Sequence, residues 1–216
     1  DAGPDAPMPR DAAVPDAPDA PVPPECVHRR LAEVQLTDFS SRSARSPDLV
    51  RTPEGLSTVF LESDGDSAHP VVDLVFTRED LGGATAPLLV GEESHSWAEA
   101  LALEDGSLAI AWLSDPGFVT RTAFRRIDPR GLPFGDRVDV DLEGSTCVDL
   151  ARAGPLVAVA YRGRDGMDPV AYLAFVDPIA GGRRSERFLL GPDDVSPQLG
   201  SLPGDRVVVA LPDATG

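Results

Sequence analysis

The sequence predicts an all-β fold in which one small antiparallel sheet is repeated about every 50 residues. Three observations predict it. A short phrase that opens with a hydroxyl residue occurs four times, at Ser46, Ser96, Thr146 and Ser196. Each copy runs into a strongly apolar stretch, and turns rich in Gly, Pro and Asp separate the apolar stretches within a copy. A fixed period of this length indicates a stacked or circular repeat architecture.

The second copy, residues 96–145, divides into four predicted strands. The first, at 97–103, is helix-like in composition, but Pro53 and Pro203 at equivalent positions of other copies exclude a helix. Asp105 and Gly106 then form a typical hairpin turn. The second strand, 108–113, is apolar throughout, as in strands covered on both faces. The third, 118–127, is mixed, and the fourth, 137–142, alternates. The third copy repeats this order at 147–153, 156–162, 169–176 and 184–190.

Burial is therefore expected to fall from the second strand to the fourth. A β-propeller blade requires this gradient, because neighbouring blades cover its inner strands while its outer strand faces water. Residues 46–216 resemble bacterial surface β-propeller repeats in period and strand order. The resemblance implies four-stranded antiparallel blades, about 3.5–4 of them, since the copy at Ser196 holds only two predicted strands.

Two arrangements of these blades stay open. Residues 27–40, which include a predicted strand at 32–37, would supply outer strands for the last blade and close a four-bladed ring. Alternatively, the chain is an open arc, or partial ring, of a larger propeller. We favour the open arc, because the last repeat ends in a loop-like segment, LPDATG.

The first 25 residues are predicted to be a disordered tether, with the repeat domain at 26–216. Residues 1–24 contain eight Pro, six Ala and five Asp, and they cannot bury enough apolar surface to fold. Their composition resembles the tethers that follow the lipidated cysteine in some bacterial surface lipoproteins. The resemblance implies an exported protein, in the periplasm, on the outer membrane surface or outside the cell. An export signal, and with it a lipid anchor, would lie upstream of Asp1.

The net charge bears on the class of binding partner, and the two cysteines bear on a possible disulfide. The formal net charge of -17 disfavours nucleic acid and anionic membranes, so we expect a protein or carbohydrate partner. No apolar run reaches the roughly 18 residues of a membrane helix. In an exported protein Cys26 and Cys147 could form a disulfide. The alternative is two free thiols, with Cys147 buried in a strand.

Acidic turns are the weak candidates for a metal site. Asp64, Asp66, Asp165 and Asp168 follow the second strands of their copies, and we expect these turns to gather on one rim. Their carboxylates could bind Ca²⁺. Ordinary turn chemistry explains the same residues, so no cofactor is assigned.

The inner strands carry the remaining candidates. For the aromatic residues Phe60, Trp97, Trp112 and Tyr161 we predict packing between blades rather than a sugar-binding platform. No residue is assigned as catalytic. The sequence favours a non-catalytic exported module that binds a ligand or serves as a scaffold at the cell surface. The alternative is a carbohydrate hydrolase or lyase, with axial carboxylates from Asp48, Glu99 and Asp149, which stand 51 and 50 residues apart.

Overall fold

The chain folds as a series of antiparallel sheets that follow one another along the sequence. In the computed structural model, all described residues belong to one compact unit, Glu33–Gly216. The structure describes residues 43–53, 55–63, 71–78, 85, 87–91, 94–115, 119–142, 145–166, 168–183, 187–192 and 196–211. The predicted tether at 1–25 and the predicted strand at 32–37 lie outside these residues.

Each of the first three sheets holds at least four strands. The first contains β1 (Ser43–Thr52), β2 (Gly55–Ser63), β3 (Val71–Arg78) and β4 (Leu88–Gly91). The second contains β5 (Ser94–Ala102), β6 (Leu108–Ser114), β7 (Arg121–Ile127) and β8 (Pro133–Asp141). The third contains β9 (Val148–Ala153), β10 (Leu156–Asp165) and β11 (Asp168–Asp177), with the outer strands β12 (Gly182–Arg183) and β13 (Phe188–Pro192) both paired to β11. The fourth contains β14 (Gln198–Leu202) and β15 (Arg206–Ala210).

The predicted all-β, β-propeller-like fold is confirmed. Strand order within each sheet follows the chain, every pairing is antiparallel, and the described residues contain no helix. The first strands of successive sheets contact one another in order, β1 with β5, β5 with β9 and β9 with β14. These four inner strands therefore lie side by side, as in an arc of propeller blades.

The second strand of each of the first three sheets is buried on both faces, as its apolar sequence predicts. In β6, Leu108, Ile110 and Trp112 pack against the first sheet. The alternate residues Ala109 and Ala111 pack against the third sheet. In β6 the larger side chains thus point towards the first sheet and the alanines towards the third. This complementarity lets the sheets lie close together near the inner strands.

The outer strands differ in detail from the prediction. The third strand of the second sheet begins at Arg121, not at residue 118, and the fourth begins earlier, at Pro133. Strict alternation predicts Leu142 on the buried face of the fourth strand, and this is wrong, because Leu142 follows the strand and is 56% exposed. Irregularities in the β7–β8 register, where bulges shift the pairing, account for the difference.

Aspartates at the end of the third strands shape the next turn. The side chain of Asp128 accepts hydrogen bonds from the backbone N–H groups of Arg130 and Leu132, at 2.9 and 2.8 Å. Asp177 accepts from Ile179 and Ala180 in the same way. Hydrogen bonds from the Leu132 and Arg130 groups lower the pKa of Asp128. This recurring acid is thus a turn-forming residue, with a structural reason for its spacing.

Candidate functional site

The three inner-strand acids occupy one register position in three sheets. Asp48 pairs opposite Val59, Glu99 opposite Ala111 and Asp149 opposite Ala160. In each case the residue after the partner is a buried aromatic, respectively Phe60, Trp112 and Tyr161. The acids are equivalent by strand pairing as well as by spacing. Because the inner strands lie side by side, the Asp48 and Asp149 carboxyls lie near enough to Glu99 to raise its pKa.

Two of these acids join neighbouring sheets. Asp48 Oδ2 accepts a hydrogen bond of 2.7 Å from the backbone N–H of Ala100, in the second sheet. Asp149 Oδ2 accepts one of 2.5 Å from the N–H of Leu199, in the fourth sheet. Each donor is the residue that follows the equivalent position of the next sheet, after Glu99 and Gln198. We call this contact the inter-sheet clasp. It ties one inner strand to the next through a charge-assisted hydrogen bond.

Glu99 is the exception to the clasp. Its equivalent donor would be the N–H of Leu150, but that group donates to Asp149 Oδ1 at 2.8 Å. Glu99 Oε1 instead accepts a 3.1 Å hydrogen bond from Trp97 Nε1. Glutamate carries one more methylene than aspartate, which lets its carboxyl reach beyond the strand. Among the three acids, Glu99 is the one held by an exposed side chain and not by the next sheet.

The environment of Glu99 favours its protonated form. Burial, followed by the charge of Asp48, raises its pKa from 4.5 to about 7, although the Trp97 hydrogen bond opposes this rise. A hydrogen bond with Asp48 raises the pKa further, because it is made by the protonated carboxyl. Burial also raises the pKa of Asp149, against two backbone hydrogen bonds that lower it. A proton on Glu99 relieves the repulsion among the acids near neutral pH.

Trp97 is the aromatic residue that departs from the prediction. Phe60, Trp112 and Tyr161 are at most 2% exposed. Trp112 and Tyr161 lie in the apolar clusters between neighbouring sheets, which confirms packing between blades for these two. Trp97 is 43% exposed, so the prediction that it packs between blades is wrong. The β5–β6 register shifts between Ser94 and Ala98, and such a bulge re-aims the side chains within it. The bulge therefore places an exposed indole beside Glu99.

The acidic-turn candidates stay a prediction. Asp165 and Asp168 are exposed and pair with each other across the β10–β11 hairpin. Asp64 and Asp66 lie outside the described residues. Within the part of the chain that the structure describes, no three His, Cys, Asp or Glu side chains are grouped as a metal ion would need. The β10–β11 hairpin places the Asp165 and Asp168 carboxylates at one turn.

The cysteine prediction is also open. Cys147 is buried immediately before β9 and forms no disulfide with another described residue. Cys26 lies outside the described residues, so the disulfide stays a prediction. Buried among apolar residues, Cys147 is 4% exposed and packs as a small hydrophobic side chain.

The clasp leads to a prediction for Asp149. Asp149→Ala removes the acceptor for the N–H groups of Leu150 and Leu199. We expect the unfolding free energy to fall by about 1 kcal/mol, because removal of a partly buried charge offsets part of the loss of these hydrogen bonds. Urea denaturation measures the loss. Hydrogen exchange should quicken in β14, where Leu199 lies. The exposed Asp165→Ala serves as the control, and equal exchange in β14 for both variants would contradict the clasp.

Fold and site together define a class of protein. It is a β-propeller-like repeat protein whose inner strands are joined by carboxylates. No family model matches the sequence, and no curated protein matches it. A solved structure of a GH43 beta 1,3 galactosidase is similar to this chain, with 13% identity and a TM-score of 0.49, over 76% of this chain. The chain spans 38% of the length of that galactosidase.

Among the described residues, none lies in a helix with the length and apolar character to cross a membrane.

Proposed function

We propose that this chain is a non-catalytic, exported β-propeller-like module that binds carbohydrate at a bacterial cell surface. The observation that carries the proposal is the pair Trp97 and Glu99. A half-exposed indole, restrained by a hydrogen bond to a carboxyl, combines an apolar face with adjacent polar groups. Carbohydrate sites use this combination, since a sugar ring presents C–H groups to an aromatic face and hydroxyls to neighbouring acceptors.

The acids support a binding role and disfavour a catalytic one. Glycosidases need two carboxyls about 5–10 Å apart that both act on the sugar. Asp48 and Asp149 each commit an oxygen to a backbone N–H of the next sheet. Their positions are thus explained by contacts within the fold.

The class of carbohydrate follows from charge. The net charge of -17 repels uronates, sulfated sugars and other anionic glycans over distances of about a Debye length. The Asp48 and Asp149 charges beside Glu99 add a local repulsion. A neutral glycan avoids both kinds of repulsion.

The proposal of export and surface display rests on the composition of the tether. Recovery of the full-length native protein in the membrane fraction or the culture medium of its host would support it.

A glycan screen tests the proposal. The full chain is titrated with neutral oligosaccharides from a surface array, and hits are followed by calorimetry. Trp97→Ala should weaken binding about 5- to 150-fold, because stacking on an aromatic side chain contributes about 1–3 kcal/mol. Leu89→Ala, at an exposed apolar residue of the first sheet, is the matched control. Binding that survives in Trp97→Ala would place the ligand elsewhere, and an absence of any neutral hit would contradict the proposal.

The hydrolase is the second candidate, and one observation favours it. A glutamate whose pKa is raised to about 7 matches a general acid at neutral pH. Hydrolysis of aryl glycosides is the direct measurement. Activity in the native chain that Glu99→Gln abolishes would establish the enzyme and overturn the non-catalytic proposal. Equal rates for the native chain, Glu99→Gln and buffer would leave binding as the function.

A further inference from the structure

A cavity of about 250 Å³ lies between the second and third sheets, where the turns after β5, β9 and β11 meet. Each of the two flanking sheets contains at least four described strands, so the cavity lies within the series of sheets and not at its end. This volume is slightly below the range usual for small-ligand sites, about 300–1,000 Å³. The cavity therefore suits a small metabolite rather than an oligosaccharide.

Unequal turns explain the space between these two sheets. The β5–β6 turn spans 103–107, whereas the β9–β10 turn holds only Gly154 and Pro155. Because β5 and β9 are neighbours, this mismatch leaves room over the shorter turn. The turn after β11 bounds the cavity farther out with Ile179, which is 68% exposed. Leu156, Ile179 and the two turns thus give the cavity walls that are largely apolar.

Arg126 is held in the cavity wall by three contacts within the second sheet. It pairs opposite Ala109, whose side chain packs towards the third sheet, so Arg126 lies on that same face. Its Nε donates to Ser107 Oγ at 2.9 Å, its Nη2 donates to Asp105 Oδ2, and its guanidinium lies 4.5 Å from the centre of the Phe134 ring. The side chain is only 11% exposed. Its Nη1 makes no hydrogen bond within the described residues, so this fixed guanidinium keeps a donor for a ligand.

A second guanidinium, that of Arg152, lines the cavity from the third sheet. Its Nη1 lies 3.2 Å from Glu104 Oε1, across the gap between the sheets. Arg126 and Arg152 are thus balanced by Asp105 and Glu104, and the charges around the cavity sum to zero. A simple anion would gain no net attraction there and would be repelled by the charge of -17 on the whole chain. A ligand with one charge of each sign avoids this repulsion.

We propose that this cavity binds a free α-amino acid with an apolar side chain. The ligand carboxylate accepts hydrogen bonds from Arg126 Nη1 and from the Arg152 guanidinium, whose planar donors match a carboxylate. The ligand ammonium group lies beside Glu104. The apolar side chain of the ligand covers Leu156 and Ile179 and removes their apolar surface from water. The site is separate from the proposed glycan site and does not depend on it.

Calorimetric titration of the full chain with L-leucine tests the proposal. We expect one saturable site with a dissociation constant below about 1 mM. Isocaproate lacks the ammonium group of leucine and isoamylamine lacks its carboxylate, so each should bind at least about fivefold more weakly. Absence of saturable leucine binding up to about 10 mM would overturn the proposal. Binding of either analogue as tight as that of leucine would also overturn it, because the ligand would then need only one of the two charges.

Protein variants locate the bound amino acid. Arg126→Gln and Arg152→Gln should each weaken leucine binding about tenfold, because each removes a charge-assisted hydrogen bond. Arg152 is 42% exposed, so its variant keeps the test decisive even if Arg126→Gln fails to fold. Arg130→Gln is the matched control, since Arg130 is 80% exposed and pairs with Asp128 outside the cavity. Unchanged binding in Arg152→Gln, or an equal loss in Arg130→Gln, would contradict the site. Trp97→Ala should leave leucine binding unchanged, which separates this cavity from the proposed glycan site.

Discussion

Trp112→Ala is expected to lower the unfolding free energy by about 3–5 kcal/mol, the largest effect of any single change proposed for this chain. Trp112 is fully buried in the core between the first and second sheets. Its ring lies so close to Gly91 that a Cβ there would stand 2.5 Å from a ring atom. The ring therefore packs directly on the Gly91 backbone, which cannot move to fill the cavity left by Trp112→Ala. Urea denaturation followed by circular dichroism measures the loss.

Trp97→Ala is the matched control for this prediction. It removes the same side chain from the same sheet, but Trp97 is 43% exposed and sits in the β5 bulge. We expect a change within about 1 kcal/mol, because little apolar area is lost from the core. Trp112→Phe adds a second comparison. It keeps most of the ring volume and removes an indole N–H that has no hydrogen-bond partner within the described part of the chain. Its cost should be less than about half that of Trp112→Ala, and equal costs at positions 97 and 112 would contradict the packing.

The period of the sequence was sufficient to predict the sheets. The phrases at Ser46, Ser96, Thr146 and Ser196 fall at or next to the inner strands, and apolar runs become the buried second strands. Spacing alone also identified Asp48, Glu99 and Asp149 as equivalent. Spacing is informative here because each repeat packs against equivalent neighbouring repeats. The same residue types are therefore required at the same positions of each copy.

The chemistry of the inner-strand acids could not be predicted in the same way. The clasp depends on which backbone N–H each carboxylate reaches, and the amide of Leu150 is taken by its own neighbour Asp149. The hydrogen-bond partner depends on the side-chain rotamer, which cannot be predicted from the residue type alone. The exposure of Trp97 depends on a bulge of the β5–β6 pairing, and the sequence carries no clear mark of it. Single-residue irregularities thus separate Glu99 from its two structural counterparts.

The protonation of Glu99 predicts how stability varies with pH. Its pKa in the folded protein is about 7, against an ordinary value of 4.5. Between these values the folded chain binds more protons than the unfolded chain, so stability falls as pH rises. The contribution is complete below pH 4.5 and is lost as pH passes 7. Allowing for solvent screening of this partly exposed group, we expect the loss to be about 2 kcal/mol.

Glu99→Gln isolates this contribution. Glutamine is neutral at every pH and still offers an oxygen to Trp97 Nε1, so the variant resembles the protonated state. We expect the two proteins to be about equally stable at pH 4.5 and the variant to be about 2 kcal/mol more stable at pH 8. Leu89→Ala, at an exposed residue that does not titrate, is the control and should give a difference independent of pH. Denaturation at several pH values measures all three proteins. If the Glu99→Gln and native curves run parallel from pH 4.5 to 8, Glu99 keeps its charge in the folded state, and the repulsion among the three inner-strand acids must be relieved in another way.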